Sequence, residues 1–328
     1  GNVAFFENKA KGGAAVVTLS ESAVSPKYDV QDPGFGMSLA RRNDSSKARL
    51  GDITIAIKAF GAVPSIELNH HGMNARPDKN GGINPVGPVG FIRERDGVQV
   101  LPMDETMIEE AIEDFAISAA FAKRCGFEMV MVHLGHGWLP AQFLSPKTNT
   151  RTDRWGGSLE NRARFSVEIC KRIRQRCGEN FIIEARISGD ELTEGGMHLE
   201  DACQFAEIIQ DYVDIINVSS GIHDDRSTVS HMFPMSGFVG TDCNVNLATE
   251  IKKHVCIPVS VVSGINTPEL AEKLLAEGKV DIVGMGRALI CDPEFPNKAR
   301  HGKAGDIVHC MRCLLYTSPS PRDKRQSR

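Results

Sequence analysis

Two histidines lie close together where an apolar run of the chain ends. His133 closes the run Val130-Met-Val-His133, and His136 follows between Gly135 and Gly137. A buried parallel strand that ends in a histidine-bearing loop is where α/β enzymes place their chemistry. The flanking glycines permit a sharp turn, so we expect the second ring to be unshielded. The alternative is a pair of core or surface histidines that only fill space.

Polar groups also follow the other apolar segments. They are Glu21, Glu67 with His70, Arg186, Ser219 with Ser220, Gly264, and Gly286 with Arg287. A ring of such groups at one face is what a barrel active site requires.

The elements that must position these residues alternate between apolar and amphipathic segments. Strands are predicted at 14–19, 63–69, 128–134, 181–187, 213–218, 257–262 and 280–285. Helices are predicted at 47–60, after the caps Asp104 and Ser158, at 199–212 and 245–254, and from Thr267 to Gly278. The segment 73–103, rich in Gly, Pro and Asn, is predicted to be a lid or binding loop.

This alternation leaves two architectures, a doubly wound sheet or a (β/α)8 barrel. No GxGxxG follows the first strand, so a dinucleotide-binding sheet has little support. Phe5, Phe6 and Ala10 are predicted to form the inner face of a helix, with no strand before it. We therefore predict an α/β protein with a TIM (β/α)8 barrel whose first strand is missing from this chain.

Composition restricts the partners and the compartment. Hydrophobic residues make up 41% and charged residues 24% of the 328 residues, as in soluble globular proteins. A net charge of -4 argues against nucleic acid as a partner. No apolar run reaches the roughly 18 residues of a membrane helix. Nine scattered cysteines without a leader predict a reducing, cytoplasmic environment.

An ordered set of motifs resembles the old yellow enzyme family of FMN-dependent oxidoreductases. The similarity is greater to its branch of 2,4-dienoyl-CoA reductase and bile-acid ene reductases. The matching stretches are 9–13, 67–72, 133–165, 186–188, 284–287 and 292–293. The resemblance implies a barrel over residues 1–308, bound FMN, and NADH or NADPH as hydride donor. It also implies an ene reductase whose small-molecule substrate is an unsaturated carbonyl or thioester.

The resemblance also implies residues that bind the cofactor. Gly264, Gly286 and Arg287 would hold the FMN phosphate, in the part of a barrel where phosphate sites are common. Arg186 would lie beside the flavin pyrimidine ring. The alternatives are a glycine turn with a surface arginine, and a salt bridge from Arg186 to Glu184 or Asp190.

Glu67 departs from the family pattern, which has glutamine at this position. An ionised carboxylate only accepts hydrogen bonds, so it suits a ring N–H and opposes a neighbouring carbonyl oxygen. We retain Glu67 as a cofactor contact, with an ion pair between helix and strand as the alternative.

In the family, the residues matching His133 and His136 bind the carbonyl or carboxylate oxygen of the substrate. Hydride arriving at the β-carbon drives charge onto that oxygen, and two donors would stabilise it. Trp138 replaces a tyrosine found in many relatives, and an indole N–H is no general acid. His223 matches a histidine that assists protonation, and imidazole titrates near neutrality. Tyr28 is a further candidate for the proton donor.

The C-terminal segment 309–328 begins like the iron–sulfur motif of this branch. Cys310 and Cys313 match its first two cysteines, but a Ser/Pro/Arg-rich stretch follows. Because a 4Fe–4S cluster takes four ligands, we expect it only in a full-length parent. The final stretch is predicted to be disordered and foreign in origin. The alternative for both cysteines is two free thiols.

Three hypotheses for function remain, and assembly of several copies stays open. The first is the flavin-dependent ene reductase. The second is a metal-dependent barrel hydrolase with His70, His71, His133 and His136 as ligands. The third is a non-catalytic barrel fragment that no longer holds flavin.

Overall fold

The apolar segments of the chain pair side by side in one parallel sheet. This computed structural model describes residues 2–30, 38–223, 226–232, 240, 242–262 and 264–312. Its strands are β1 (Val16–Ala23), β2 (Val63–Asn69), β3 (Val86–Gly87), β4 (Phe91–Ile92), β5 (Gln99–Pro102), β6 (Met129–His133), β7 (Ile182–Ser188), β8 (Ile215–Ser219), β9 (Val259–Val262) and β10 (Ile282–Gly284).

The helices alternate with these strands as predicted. They are α1 (Asn2–Lys11), α2 (Asp44–Lys58), α3 (Glu105–Arg124), α4 (Leu139–Leu144), α5 (Leu159–Cys177), α6 (Leu199–Ile209), α7 (Val229–Met232), α8 (Val245–His254), α9 (Pro268–Ala276), α10 (Arg287–Cys291) and α11 (Phe295–Arg300). The caps Asp104, Ser158 and Thr267 accept backbone hydrogen bonds as their sequence positions predicted.

Seven parallel strands form the main sheet in the order β1-β2-β6-β7-β8-β9-β10. Chain order equals spatial order, which is the topology of a curled α/β sheet and confirms the predicted barrel class. Among the described residues, β1 and β10 do not pair with each other, and no further strand joins this sheet. The helix α1 packs against α2 and β1.

The hydrophobic core lies between the sheet and its helices. All five residues of β6 are buried, as expected for a strand covered on both faces. On α3, the apolar residues Ile108, Ile112 and Phe115 recur at helical spacing and are fully buried. No helix in the described ranges is long and apolar enough to cross a bilayer.

The segment 73–103, which the sequence predicted as a long lid or binding loop, contains regular structure. It contains two short 3-10 turns and a small sheet of β3, β5 and β4. Arg93 is buried there and donates hydrogen bonds to the carbonyl oxygens of Met73 and Ala75. One side chain thus satisfies backbone groups that a connection without regular pairing would leave open.

Candidate active site

Strand register brings the predicted site residues to one edge of the sheet. His133 of β6 pairs in register with Arg186 of β7. Ser188 at the end of β7 pairs with Ser219 at the end of β8. These carboxyl ends of central strands form the face on which barrel enzymes carry their chemistry.

The turn after β6 is held in an unusual backbone conformation. His136 has φ 59°, a left-handed value that is uncommon for a residue with a side chain. Its N–H donates to the Ser188 hydroxyl at 2.9 Å. A Cβ at Gly135 would lie 2.8 Å from the backbone nitrogen of Ser188, so the close approach of the two loops requires glycine. Such strain persists where its surroundings hold it, often at functional sites.

The four groups Glu67, His133, His136 and Ser219 form one continuous array. Glu67 Oε1 lies 2.8 Å from His133 Nδ1, His133 Nε2 lies 2.8 Å from His136 Nδ1, and His136 Nε2 lies 2.8 Å from Ser219 Oγ. The first contact has hydrogen-bond distance but lies outside the angular range of a hydrogen bond, so it is an ion contact. Every ring nitrogen of both histidines therefore lies 2.8 Å from another group of the array.

Two sequence expectations are corrected by this array. His136 is not an unshielded ring, because only 4% of the residue is exposed. Within the described residues, Glu67 pairs with His133 on the adjacent strand and with no residue of a helix. Sequence spacing could not reveal this contact, since it depends on the pairing of two strands.

Charges within the array differ between its two ends. Burial alone would raise the pKa of Glu67, but the charge and contact of His133, with the charge of Arg186, lower it below its usual value. Burial lowers the pKa of His136 well below its ordinary value, and the charges of His133, Arg186 and His223 lower it further. An ionised carboxylate therefore faces His133, while His136 stays neutral.

His223 and Trp138 lie next to the histidine pair. The backbone N–H of His223 donates to the backbone carbonyl oxygen of His136 at 3.1 Å. The ring centroids of His223 and Trp138 lie 4.5 Å apart. Burial lowers the pKa of His223 to about 4, assisted by the charge of His133. The expectation that this ring titrates near neutrality is wrong, although its position beside the site is as expected.

Tyr28 points to a different part of the structure. Its hydroxyl lies 3.4 Å from Glu110 on α3 and its carbonyl accepts from Asn80. This geometry gives no support to Tyr28 as the proton donor.

Sequence reasoning missed Asp29, which is the partner of another histidine near the site. His71 donates its backbone N–H to Asp29 at 2.7 Å, and its Nδ1 lies 2.9 Å from Asp29 Oδ1. Burial alone would lower the pKa of His71, but the charge and hydrogen bond of Asp29, with those of Glu21, raise it to about 10. The ring also packs edge-on against Trp138 at 4.7 Å. The only sequence signal was an aspartate in the loop after β1.

Arg186 is the group most suited to an anionic cofactor edge. Its Nε is buried without a hydrogen-bond partner in the described part of the chain. The predicted alternatives are not formed there: Glu184 accepts from Asn217 at 2.9 Å, and Asp190 lies 3.2 Å from His198. A buried, unsatisfied guanidinium nitrogen is costly, so a ligand that accepts its hydrogen bond fits this position.

The predicted phosphate residues lie together at the end of the last two strands. Gly284 of β10 pairs in register with Val262 of β9, so Gly264 and Gly286, each two residues further on, follow neighbouring strand ends. Gly264 has φ 62°, and a Cβ at Gly286 would meet open space. Arg287 begins α10 and is half-buried. Backbone amides and one cation at this place fit the phosphate of the FMN that the resemblance implies.

The remaining predicted ligands belong to the C-terminal segment. Cys310 is half-buried and its sulfur accepts from the Arg312 N–H at 3.4 Å. Cys313 lies outside the described residues. Within the described ranges, no group of three or more His, Cys, Asp or Glu side chains could hold a metal ion. The hydrolase hypothesis, which needed His70, His71, His133 and His136 to converge on a metal, gains no support.

Comparison with known proteins extends over almost the whole chain. The model of the NADH:flavin oxidoreductase / NADH oxidase family matches residues 1–306. An NADH oxidase from Thermoanaerobacter brockii is 36% identical over 312 residues, which are 95% of this chain and 47% of the relative. An NADPH dehydrogenase from Bacillus subtilis is 29% identical over 91% of this chain and 83% of its own.

The solved structure of a 2-naphthoyl-CoA reductase in complex with 2-naphthoyl-CoA has the same fold. It superposes with a TM-score of 0.86 and 30% identity over 96% of this chain and 49% of its own. The chain thus spans about half the length of several relatives that it matches. Members of the matched family bind FMN and use NADH or NADPH. From the match over residues 1–306, this chain belongs to the NADH:flavin oxidoreductase / NADH oxidase family.

Proposed function

We propose that this barrel is the catalytic part of an FMN-dependent ene reductase. NADH or NADPH would be the hydride source, and the substrate would be the C=C bond of an α,β-unsaturated carbonyl or thioester. The supporting observation is a buried histidine pair at the carboxyl end of β6, of which His133 is in register with Arg186 of β7, whose Nε is buried without a hydrogen-bond partner in the described part of the chain. The related 2-naphthoyl-CoA reductase forms a complex with a CoA thioester, which supports the same substrate class.

Two parts of the chain would hold the flavin. Arg186 would donate a hydrogen bond to the pyrimidine edge of the flavin. Gly264, Gly286 and Arg287 would hold the phosphate. When bound, FMN supplies the hydride that NADH or NADPH delivers to it.

His136 would bind the oxygen of the unsaturated carbonyl through Nε2, and His133, whose ring nitrogens face Glu67 and His136, would hold the His136 ring in place. Negative charge grows on that oxygen when the β-carbon accepts hydride, and a preorganised N–H donor stabilises it. Since both rings are fixed by Glu67, Ser219 and Ser188, little reorganisation is needed during the reaction. His223, which is neutral and packs at a tilt against Trp138, would line the site beside them.

The two half-reactions test this assignment separately. Anaerobic stopped-flow would measure flavin reduction by NADH or NADPH, and then flavin reoxidation by cyclohex-2-enone or crotonyl-CoA. For the double variant His133→Ala/His136→Ala, we expect reoxidation to slow by about 10²–10³-fold, as when an oxyanion donor is lost. Flavin reduction should change by less than about threefold, since it does not involve this donor.

A matched control removes two surface histidines. His198→Ala/His254→Ala changes two exposed side chains and should leave both half-reactions unaltered. Equal loss of both half-reactions in the His133/His136 variant would contradict the role of the pair. A protein that purifies colourless and takes up no FMN would instead favour the non-catalytic fragment.

A further inference from the structure

We propose that Glu67 is a positioning residue rather than a flavin contact, and that the array Glu67–His133–His136–Ser219 holds one exchangeable proton. This proton decides whether His136 can donate a hydrogen bond from Nε2. The proposal deepens the ene reductase assignment and rests on it for the identity of the acceptor.

The charge of Glu67 determines the donors and acceptors along the array. Glu67 is ionised and can only accept, so His133 carries a proton on Nδ1. When His133 has no second proton, its Nε2 accepts from His136 Nδ1–H, and His136 Nε2 can then only accept from the Ser219 hydroxyl. In this state neither ring offers an N–H to a substrate.

A second proton on His133 exchanges donor and acceptor in the two hydrogen bonds that follow, His133–His136 and His136–Ser219. His133 Nε2–H then donates to His136 Nδ1, which places the proton of neutral His136 on Nε2. That N–H donates to Ser219 Oγ, whose place a substrate oxygen can take. Both rings and Ser219 are buried, and the Glu67 side chain is only 12% exposed, so little solvent competes for these bonds.

We call the array with the second proton on His133 the loaded array. The loaded array can also give this proton up again. After the alkene has accepted hydride, its enolate carries one negative charge. The proton on His136 Nε2 moves to the enolate oxygen, while the His133 Nε2 proton moves to His136 Nδ1. His133 becomes neutral, the enolate becomes a neutral enol, and no electrons are transferred in this step. Conversion of the enol to the saturated carbonyl then moves a proton from the oxygen to the α-carbon. Glu67 stays ionised and stabilises the loaded state without touching the substrate.

Other titratable groups face the array, and the cation among them opposes loading. Arg186 from β7 and His223 from the loop after β8 lie close to His136. Glu184, also on β7, interacts with both Glu67 and Arg186. Because the cation Arg186 disfavours an imidazolium nearby, loading depends on the close carboxylate of Glu67.

The test follows the protons by nuclear magnetic resonance with 15N-labelled histidine. The pH of a flavin-containing sample is varied, and each ring nitrogen is read as protonated or unprotonated. In the unaltered protein, His136 should exchange its proton between Nδ1 and Nε2 at the pH where His133 titrates. In Glu67→Gln, which keeps side-chain size, that midpoint should fall by at least about one pH unit, a tenfold loss of proton affinity.

Three variants separate positioning from other effects. Glu67→Asp keeps the charge and should restore part of the midpoint. Glu184→Gln removes a buried carboxylate that binds Asn217 instead of a histidine, and should shift the midpoint by less than half as much. Ser219→Ala should alter the His136 Nε2 signal and leave the His133 midpoint in place.

Flavin affinity is measured in the same samples. A positioning role predicts FMN binding within about twofold of the unaltered protein in Glu67→Gln, whereas a flavin contact predicts a larger change. Unchanged histidine signals across the pH range in Glu67→Gln would overturn the proposal. Absence of alkene reduction, with the histidine shifts as expected, would overturn the ene reductase assignment alone.

Discussion

At the scale of single residues, Asp29 and His71 form a buried ion pair beside the proposed site. Their side chains are 4% and 16% exposed, and they lie 2.9 Å apart. His71 also contacts Glu21 at 3.6 Å and packs against Trp138. A protonated imidazole thus lies against the indole that lines the site, held by a carboxylate from the loop after β1.

This pair should give the folded protein a characteristic pH dependence. The folded pKa of His71, about 10, lies above its ordinary value of 6.5, so its stabilisation is complete below about pH 6.5 and is lost as pH rises through 10. Although burial alone would raise the pKa of Asp29, His71 lowers it below 3.8, so its contribution is lost as pH falls below that value. The pair therefore contributes its full stabilisation between about pH 3.8 and pH 6.5.

Replacing Asp29 by Asn tests this pair. We expect the free energy of unfolding to fall by about 3 kcal/mol at pH 6, because removing one partner leaves a buried group unsatisfied. The decline of stability between pH 6.5 and 10 should become shallower. Urea unfolding at several pH values measures both effects. Asp211→Asn, an exposed carboxylate, is the control. An unchanged pH profile in Asp29→Asn would show that His71 owes its charge to another group.

Arg287 is the residue on which phosphate binding should depend. We expect Arg287→Ala to weaken FMN binding by about ten- to a hundredfold, the range for a hydrogen bond to a charged group. Fluorescence titration of the flavin-depleted protein measures the dissociation constant. Arg49→Ala on the exposed face of α2 should bind FMN normally. Equal retention of flavin by both variants would remove Arg287 from the phosphate site.

These residues differ in how far sequence alone could reveal them. His133, His136 and Arg186 could be predicted because each ends or follows an apolar strand, and local spacing carries that signal. The partners Glu67–His133, His136–Ser219 and Asp29–His71 depend on strand register and loop contacts. Local spacing does not encode such contacts, so Glu67 was expected against the cofactor or a helix, and Asp29 was not found.

At the scale of elements, local signals predicted the longer amphipathic helices and missed short ones such as α4. Strand β2 and helix α8 have the predicted bounds, and α3 begins directly after its cap. Helix α4 was missed, since its six residues are all buried and Trp138 provides no side-chain cap. It depends on burial instead of amphipathic periodicity, which the sequence pattern cannot distinguish from a loop.

The cap of α3 gives a quantitative test at this scale. The Asp104 side chain accepts from the Met107 N–H at 2.8 Å. Asp104→Ala should lower the free energy of unfolding by about 1 kcal/mol, because the first turn loses an acceptor. Asp104→Asn keeps an acceptor and should cost less than half as much. Urea unfolding compares the three proteins. If Ala and Asn are equivalent, the cap contributes nothing beyond its charge.

At the scale of the whole molecule, the sheet has two edges in its described part. β1 pairs only with β2, and β10 pairs only with β9. An edge strand presents a row of N–H and C=O groups that another chain can pair with. Val16 on β1 is 40% exposed and Ile282 on β10 is 37% exposed, so both edges also carry apolar side chains.

This arrangement predicts self-association of the 328-residue chain through its sheet edges. The mean mass in sedimentation velocity should rise with protein concentration across roughly 1–100 µM, the range in which exposed edges associate. In Val16→Lys/Ile282→Lys the rise should be reduced, because a charged side chain on an edge opposes pairing. Val3→Lys changes a similarly exposed apolar residue on α1 and should associate like the unaltered chain. If all three proteins keep one mass at every concentration, the edges are not a route of association. If all three associate alike, the contact lies on another surface.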